Sequence, residues 1–136
     1  MLQVMEKEMF KGINKNPFFN HIGFEIVSGH EDELSLKLEV KKELLNTNNS
    51  LHGGVHASML DMVQTIHLRK IYHTSVSAVN LDVHYFAPTN TGDLFARAKV
   101  LQQGYKLATI ESEILDENHQ LIAKGTGVYK ILRQSE

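Results

Sequence analysis

Residues 51–70 form the stretch LHGGVHASMLDMVQTIHLRK, in which apolar side chains recur at the spacing of an α-helix. The apolar stripe consists of Val55, Met59, Met62, Val63 and Ile66. At about 100° per residue these positions fall on one side of a helix, so the pattern predicts a helix from about Gly54 to about Lys70 with this side facing a core. No other long helix is predicted, and the remaining elements must be arranged around this one.

Strand-like patterns precede and follow this helix. An apolar stretch begins at Phe18, and residues 33–40 alternate apolar with polar side chains, which is the period of a strand with one buried face. Ser28 to Asp32 is predicted to be the turn before it. After the helix, four further strands are predicted over residues 79–85, 94–100, 106–116 and 121–132.

This order predicts an α+β fold in which one long central helix covers an antiparallel sheet of about six strands. The last four strands can pair consecutively through short connections, including a hairpin turn at residues 117–120. Asn80, Asp82 and His84 predict that the second face of the sheet is partly polar. Residues 1–136 are predicted to be a single domain, with residues 1–18 as a helical lead-in interrupted at Asn16-Pro17.

Composition excludes several classes of function. The chain has 14 Lys and Arg against 16 Asp and Glu, without a dense basic run, so nucleic acid is not an expected partner. The absence of cysteine excludes disulfides and thiolate chemistry. Charges in residues 1–8 do not suit a signal peptide, and no apolar run reaches membrane-spanning length. We therefore expect a cytoplasmic protein with no membrane partner.

The start of the long helix is the first candidate site. A polar loop, residues 46–50, leads to Gly53-Gly54, and the free N–H groups and positive dipole end of a helix favour an anion or a developing oxyanion. A simple tight turn is the alternative interpretation of the two glycines. Asp61 is the second candidate, because it lies almost opposite the apolar stripe. The small, mildly polar residues on its face are Ala57, Ser58, Gln64, Thr65 and Leu68.

Such a face suits contact with another surface, although an ordinary surface aspartate would give the same pattern. Asp61 follows Gly53 by eight residues, or about 12 Å along the helix axis, so one chain cannot apply both to one bond. Two copies of the helix packed antiparallel about a two-fold axis would bring the glycines of one beside the aspartate of the other. Two sites would follow from one interface.

Other chemistries fit the sequence less well. Ser58 is not flanked by the glycines of a nucleophile elbow. His52 and His56 have the i, i+4 spacing of a metal pair but lack the glutamate of a zinc protease, and we predict no metal site. The two glycines at residues 53–54 are not followed by the lysine of a phosphate-binding loop.

Several motifs together resemble a known family. They are Asn46, the run Leu51-His52-Gly53-Gly54-Val55, Asp61, the run Tyr85-Phe86-Ala87-Pro88, and Gly92-Asp93. The chain resembles, from about Phe19 to Leu132, the hotdog-fold acyl-CoA thioesterases of the phenylacetate-degradation and 4-hydroxybenzoyl-CoA type. This resemblance implies a long helix wrapped by an antiparallel sheet, hydrolysis of an acyl-CoA to free acid and CoA, and no cofactor beyond the CoA of the substrate. It also implies a homodimer or homotetramer with sites shared between subunits.

The resemblance also implies residue roles. The Gly53 N–H would polarise the thioester carbonyl, Asp61 of the facing subunit would activate water or attack directly, Asn46 would orient carbonyl or water, and His52 would support the loop. The candidate substrate-binding residues are Gly54, Ser58, Ala78 and Asn80, with Ala78 where some relatives carry an assisting serine or threonine. Candidate contacts to the CoA phosphates are Lys99, Lys106, Lys124 and Arg133, and candidate walls of the acyl pocket are Phe18, Phe19, Met59 and Leu68.

Hotdog domains can also have two other classes of function. A non-catalytic acyl-CoA-binding protein is the alternative to hydrolysis, although such sensors usually carry an attached domain. A hotdog dehydratase would be expected to show a different Asp-His signature.

Overall fold

A computed structural model of the protein describes residues 11–28 and 34–133 and contains one long helix against a six-stranded antiparallel sheet. The helices are α1 (Lys11–Asn14), α2 (Pro17–Ile22) and α3 (Gly53–Tyr72), with a 3-10 turn at Lys42–Leu44. The strands are β1 (Phe24–Ser28), β2 (Leu34–Glu39), β3 (Val76–Tyr85), β4 (Asp93–Gln103), β5 (Leu107–Leu115) and β6 (Leu121–Ile131). The predicted α+β architecture and order of elements are confirmed.

Helix α1 ends at Asn14, in line with the predicted interruption at Asn16-Pro17, but a second helix, α2, follows where only an apolar stretch is predicted. Asn16 begins α2, because its side-chain oxygen accepts a hydrogen bond from the Phe19 N–H at 3.0 Å and Pro17 occupies the first helical turn. Gly23, with φ of 99°, then ends α2 before β1. Residues 1–10 of the predicted helical lead-in, and most of the turn predicted at residues 28–32, lie outside the described residues.

The strand order differs from consecutive pairing. The sheet runs β1-β2-β4-β5-β6-β3, so β3 pairs with β6 rather than with β4. The connection from β3 to β4 crosses one end of the sheet, where the Phe86 N–H donates to the Ile122 carbonyl and the Leu51 N–H to the Thr89 carbonyl. Alternation along a strand does not specify its neighbour, which is why the sequence left this order undetermined.

Helix α3 is buried on the predicted apolar side and also on part of the side that carries Gln64 and Leu68. Val55, Met59, Val63 and Ile66 lie in the core as expected. The expectation that Gln64 and Leu68 face away from the core is wrong, since both side chains are completely buried. The sheet curls around the helix, and β5 and β6 cover this second side.

Two glycines in β6 permit this close approach of helix and sheet. A Cβ atom on Gly125 would lie 3.1 Å from Leu60 Cδ1, and one on Gly127 would overlap the side chains of Gln64 and Tyr129. A glycine inside a strand often marks such a backbone contact. The absence of side chains at these two positions of β6 therefore allows the middle of α3 to pack directly against the strand.

Strand β3 forms an open edge of the sheet, because it pairs only with β6 among the described strands. Asn80, Asp82 and His84 are exposed on its outer face, as predicted. The register shifts around Val79, which is 62% exposed. A long unpaired edge is a ready surface for another strand. No helix in the described part of the chain is long and apolar enough to cross a membrane.

Candidate active site

The loop before α3 is closed by the side chain of Asn46. Its oxygen accepts hydrogen bonds from the backbone N–H groups of Asn48 at 2.8 Å and Ser50 at 3.1 Å. Because both partners are donors, they identify which of the two terminal atoms of the Asn46 carboxamide is the oxygen and which is the NH2 group. That NH2 group has no acceptor among the described residues and is available to a ligand oxygen.

The junction between this loop and α3 exposes one backbone donor. The Gly54 N–H donates to His52 Nδ1 at 2.8 Å, so the histidine caps the helix and occupies this donor. The Tyr85 hydroxyl donates to the Gly53 carbonyl at 2.8 Å. The Gly53 N–H itself has no acceptor within the described part of the chain. Of the two glycines, Gly53 is therefore the one whose N–H can receive an anion.

His56 lies directly beneath this junction and is only 4% exposed. Its Nδ1 is 3.2 Å from the His52 carbonyl oxygen, and its ring meets the Tyr85 ring edge-on with centroids 5.3 Å apart. Its Nε2 is buried and has no hydrogen-bond partner among the described residues. Burial lowers the pKa of His56, which favours the neutral ring.

These groups surround a pocket of about 350 Å³ at the N-terminus of α3. The pocket is lined by Asn46, Ser50, Leu51, Gly53, His56, Tyr85, Phe86, Ala87 and Pro88. Its lining therefore provides hydrogen-bond donors and apolar walls but, among the described residues, no carboxylate. The positive end of the helix dipole adds to the preference for a partial negative charge.

Asp61 lies outside this pocket and is held by Tyr129 of β6. The Tyr129 hydroxyl donates to Asp61 Oδ1 at 2.6 Å and lies 2.9 Å from Gln64 Oε1. The Gln64 amide nitrogen donates in turn to Ser112 Oγ at 2.7 Å. Burial, the hydrogen bond to Asp61 and the charge of that carboxylate raise the pKa of Tyr129, so the phenol stays protonated as a donor. The carboxylate is thus fixed in orientation and only partly buried.

The other candidate site residues are dispersed. Ser58 Oγ donates to the Gly54 carbonyl at 2.8 Å within the helix. Ala78 and Asn80 are exposed on β3, and Ala78 is in register with Tyr129, the residue whose hydroxyl donates to Asp61.

The candidate contacts to the CoA phosphates and the candidate walls of the acyl pocket lie at positions outside the lining of the pocket at the start of α3. Lys124 is 3.8 Å from Glu111, and Arg133 lies over the Tyr105 ring, while Lys99 and Lys106 are exposed. Phe18 is half exposed, whereas Phe19, Met59 and Leu68, the other residues predicted to line an acyl pocket, are buried. None of the three lines the pocket at the start of α3, whose apolar walls come from residues 51 and 86–88.

Three residues around the site were not identified from the sequence. The sequence indicates Tyr85 only as part of a motif and His56 only as one of a histidine pair with metal-ligand spacing, and it gives no direct indication of Tyr129. The alternating glycines at residues 125 and 127 were the available signal for Tyr129, because they mark the part of β6 that approaches α3 most closely.

Comparison with known proteins agrees with this architecture. The sequence pattern of the thioesterase superfamily matches residues 48–123, more than half of the chain. The chain is 30% identical over 135 residues to a protein of Archaeoglobus fulgidus named "Putative esterase", covering 96% of this chain and 84% of that one. It is 27% identical over 124 residues to acyl-coenzyme A thioesterase 13 of Homo sapiens, covering 88% and 89%.

The fold is shared with a solved structure as well. The PaaI protein of the Escherichia coli phenylacetic acid degradation operon superposes with a TM-score of 0.86 at 20% identity, over 99% of both chains. The resemblance drawn from the motifs is thereby confirmed. This chain belongs to the thioesterase superfamily, with the hotdog fold and an activity of the thioester-hydrolase class.

Proposed function

We propose that this protein hydrolyses an acyl-CoA thioester to the free acid and CoA. The observation that carries the proposal is that one pocket at a helix N-terminus contains two donors, the Asn46 NH2 group and the Gly53 N–H, that have no acceptor in the described structure. Donors of this kind stabilise the oxyanion that forms when a thioester carbonyl is attacked. The human relative named acyl-coenzyme A thioesterase 13 supports CoA as the thiol part of the substrate.

The proposed active site is shared between two chains. The described lining of the pocket has donors but no carboxylate, whereas Asp61 is held two helical turns away by a different set of contacts. A second copy added along the open edge of β3 would set two α3 helices side by side and antiparallel, with Asp61 of each facing the other chain's pocket. We therefore propose a homodimer, which can pair further into a tetramer.

In the proposed reaction, the Asp61 carboxylate of the facing subunit removes a proton from water. The water oxygen bonds to the thioester carbon, and the negative charge on the carbonyl oxygen is stabilised by Gly53 and Asn46. Collapse of this intermediate breaks the carbon–sulfur bond, and the CoA thiolate takes the proton from Asp61. Direct attack by the carboxylate, followed by hydrolysis of the resulting anhydride, gives the same products. Neither route needs a metal or a cofactor.

The decisive experiment replaces Asp61 by asparagine, which keeps the shape of the side chain and removes the base. We expect kcat on a good substrate, chosen from a panel of aromatic, short and long acyl-CoAs, to fall by at least about 100-fold. Glu25→Gln on β1 is the matched control, because it makes the same carboxylate-to-amide change at an exposed position away from the site. Its kcat should equal that of the wild type.

Two results would contradict the proposal. Full activity of Asp61→Asn would exclude Asp61 as the base or nucleophile. Tight binding of one acyl-CoA by the wild type, with no hydrolysis of any member of the panel, would identify a binding protein instead of an enzyme.

A further inference from the structure

We infer that His56 is a positioning residue that orients and polarises the Gly53 N–H through the carbonyl of His52. The inference rests on the proposed function, because it assigns to His56 a role in the proposed oxyanion site. In this role His56 acts through that carbonyl and not by direct contact with the reacting atoms. Its basis is the geometry of the peptide bond between residues 52 and 53.

The His52 carbonyl and the Gly53 N–H are the two polar ends of one planar peptide unit. Whatever fixes the direction of the carbonyl therefore fixes the direction of the N–H. The carbonyl oxygen accepts from the Val55 N–H at 2.9 Å and is 3.3 Å from the His56 N–H. The imidazole Nδ1 of His56 lies 3.2 Å from the same oxygen, and of these three groups it alone belongs to a side chain.

The tautomer of His56 follows from its surroundings. A proton on Nε2 would be buried without an acceptor in the described structure, whereas a proton on Nδ1 is accepted by the His52 carbonyl. Leaving a buried donor unpaired is costly, so the neutral ring carries its proton on Nδ1. Burial also lowers the pKa of His56, in agreement with a neutral ring. His56 is thus a donor to the carbonyl.

The second peptide at this junction is fixed in the same manner. Its carbonyl, that of Gly53, accepts from the Tyr85 hydroxyl, and its N–H, that of Gly54, donates to the His52 ring. Of the four polar groups in the two peptides that flank Gly53, three are therefore held by side chains. The fourth is the N–H of Gly53, a residue that lines the pocket. The Tyr85 ring also packs edge-on against His56, so the two supports hold each other in place.

This arrangement has two consequences for an oxyanion. A hydrogen bond to the carbonyl end of a peptide polarises the N–H end, as in other chains of hydrogen bonds. Holding the peptide in one orientation also removes the cost of reorganising the donor during the reaction. Loss of one such neutral hydrogen bond should lower kcat by about 3- to 10-fold, since the direct donor is kept. Loss of an oxyanion donor itself costs about 100- to 1000-fold, which sets an upper limit.

The test compares two substitutions of His56. His56→Phe keeps an aromatic ring against Tyr85 but has no donor. His56→Asn places an amide NH2 near the position of Nδ1 and can still donate to the His52 carbonyl. We expect kcat to fall by about 3- to 10-fold in His56→Phe with KM changed less than about twofold, and to recover largely in His56→Asn. A purely structural role would not give this rescue.

A second measurement does not depend on activity. In 1H–15N spectra of the substrate-free protein, the Gly53 amide proton should move upfield in His56→Phe and return toward its wild-type position in His56→Asn. An unchanged Gly53 resonance, an unchanged kcat in His56→Phe, or equal loss of kcat in both variants would overturn the inference. The activity of Asp61→Asn distinguishes failure of the inference about His56 from failure of the proposed function. If that variant is fully active while the Gly53 resonance responds as expected, the catalytic proposal fails and the His56 contact stands.

Discussion

Removal of the Tyr129 hydroxyl should weaken both the fold and the reaction. In Tyr129→Phe the ring remains in place, 1% exposed in the wild type, and only the oxygen is lost. That oxygen donates its single proton to the Asp61 carboxylate at 2.6 Å, because this acceptor is charged and is closer than Gln64 Oε1 at 2.9 Å. A hydrogen bond to a charged group contributes about 1.5–3 kcal/mol. Asp61 is partly exposed and water can replace the phenol there, so we expect a loss of about 1.5–2 kcal/mol.

Urea denaturation at fixed protein concentration measures this loss. With a slope of about 1–3 kcal/mol per molar urea, the midpoint should fall by roughly 0.5–2 M. Tyr105→Phe is the matched control, because its ring is 68% exposed, and it should change the free energy of unfolding by less than about 0.5 kcal/mol. We also expect kcat to fall about tenfold as Asp61 loses its fixed orientation, a smaller effect than that of Asp61→Asn.

The pH dependence of stability provides an independent check. The pKa of Tyr129 is raised in the folded protein above the unfolded value of about 10. The folded state therefore keeps a proton that the unfolded state releases, and the stabilisation present below about pH 10 is lost as the pH rises further. The difference in unfolding free energy between the wild type and Tyr129→Phe should shrink above about pH 10. Equal urea midpoints for the two proteins at pH 7 would refute the proposed hydrogen bond.

Two further predictions test the interface and the packing of the helix. Asn46→Ala and Asp61→Ala homodimers should each be inactive, and subunit exchange between them should restore up to about a quarter of wild-type activity. The reason is that half of the dimers are then mixed and each mixed dimer has one intact site. Heterodimers seen by mass spectrometry without activity would exclude a shared site. Gly127→Ala should lower the unfolding free energy by about 1–3 kcal/mol through overpacking against Gln64. Gly12→Ala is the control and should not lower it, because a Cβ at Gly12 would meet nothing within 4 Å. Equal urea midpoints for the two variants would contradict the close helix–strand contact.

The predictable part of this protein was encoded locally. Periodicity over residues 54–70 specified α3, and alternation specified the strands within a few residues of their ends, because both patterns depend only on neighbours along the chain. The two glycines before Val55 and the carboxylate at Asp61 were identified in the same manner. Their separation of about 12 Å along one helix was enough to suggest a site shared between chains.

The tertiary structure decided what depends on register and curvature. The position of β3 beside β6, and the burial of Gln64 and Leu68, follow from how the sheet closes around the helix, which no local pattern records. The contact from Tyr129 to Asp61 joins residues 68 positions apart, and that from Tyr85 to Gly53 joins residues 32 apart. Such contacts exist only once strand pairing fixes which side chains meet the helix, and for that reason the supports of the two site groups could not be inferred from the sequence.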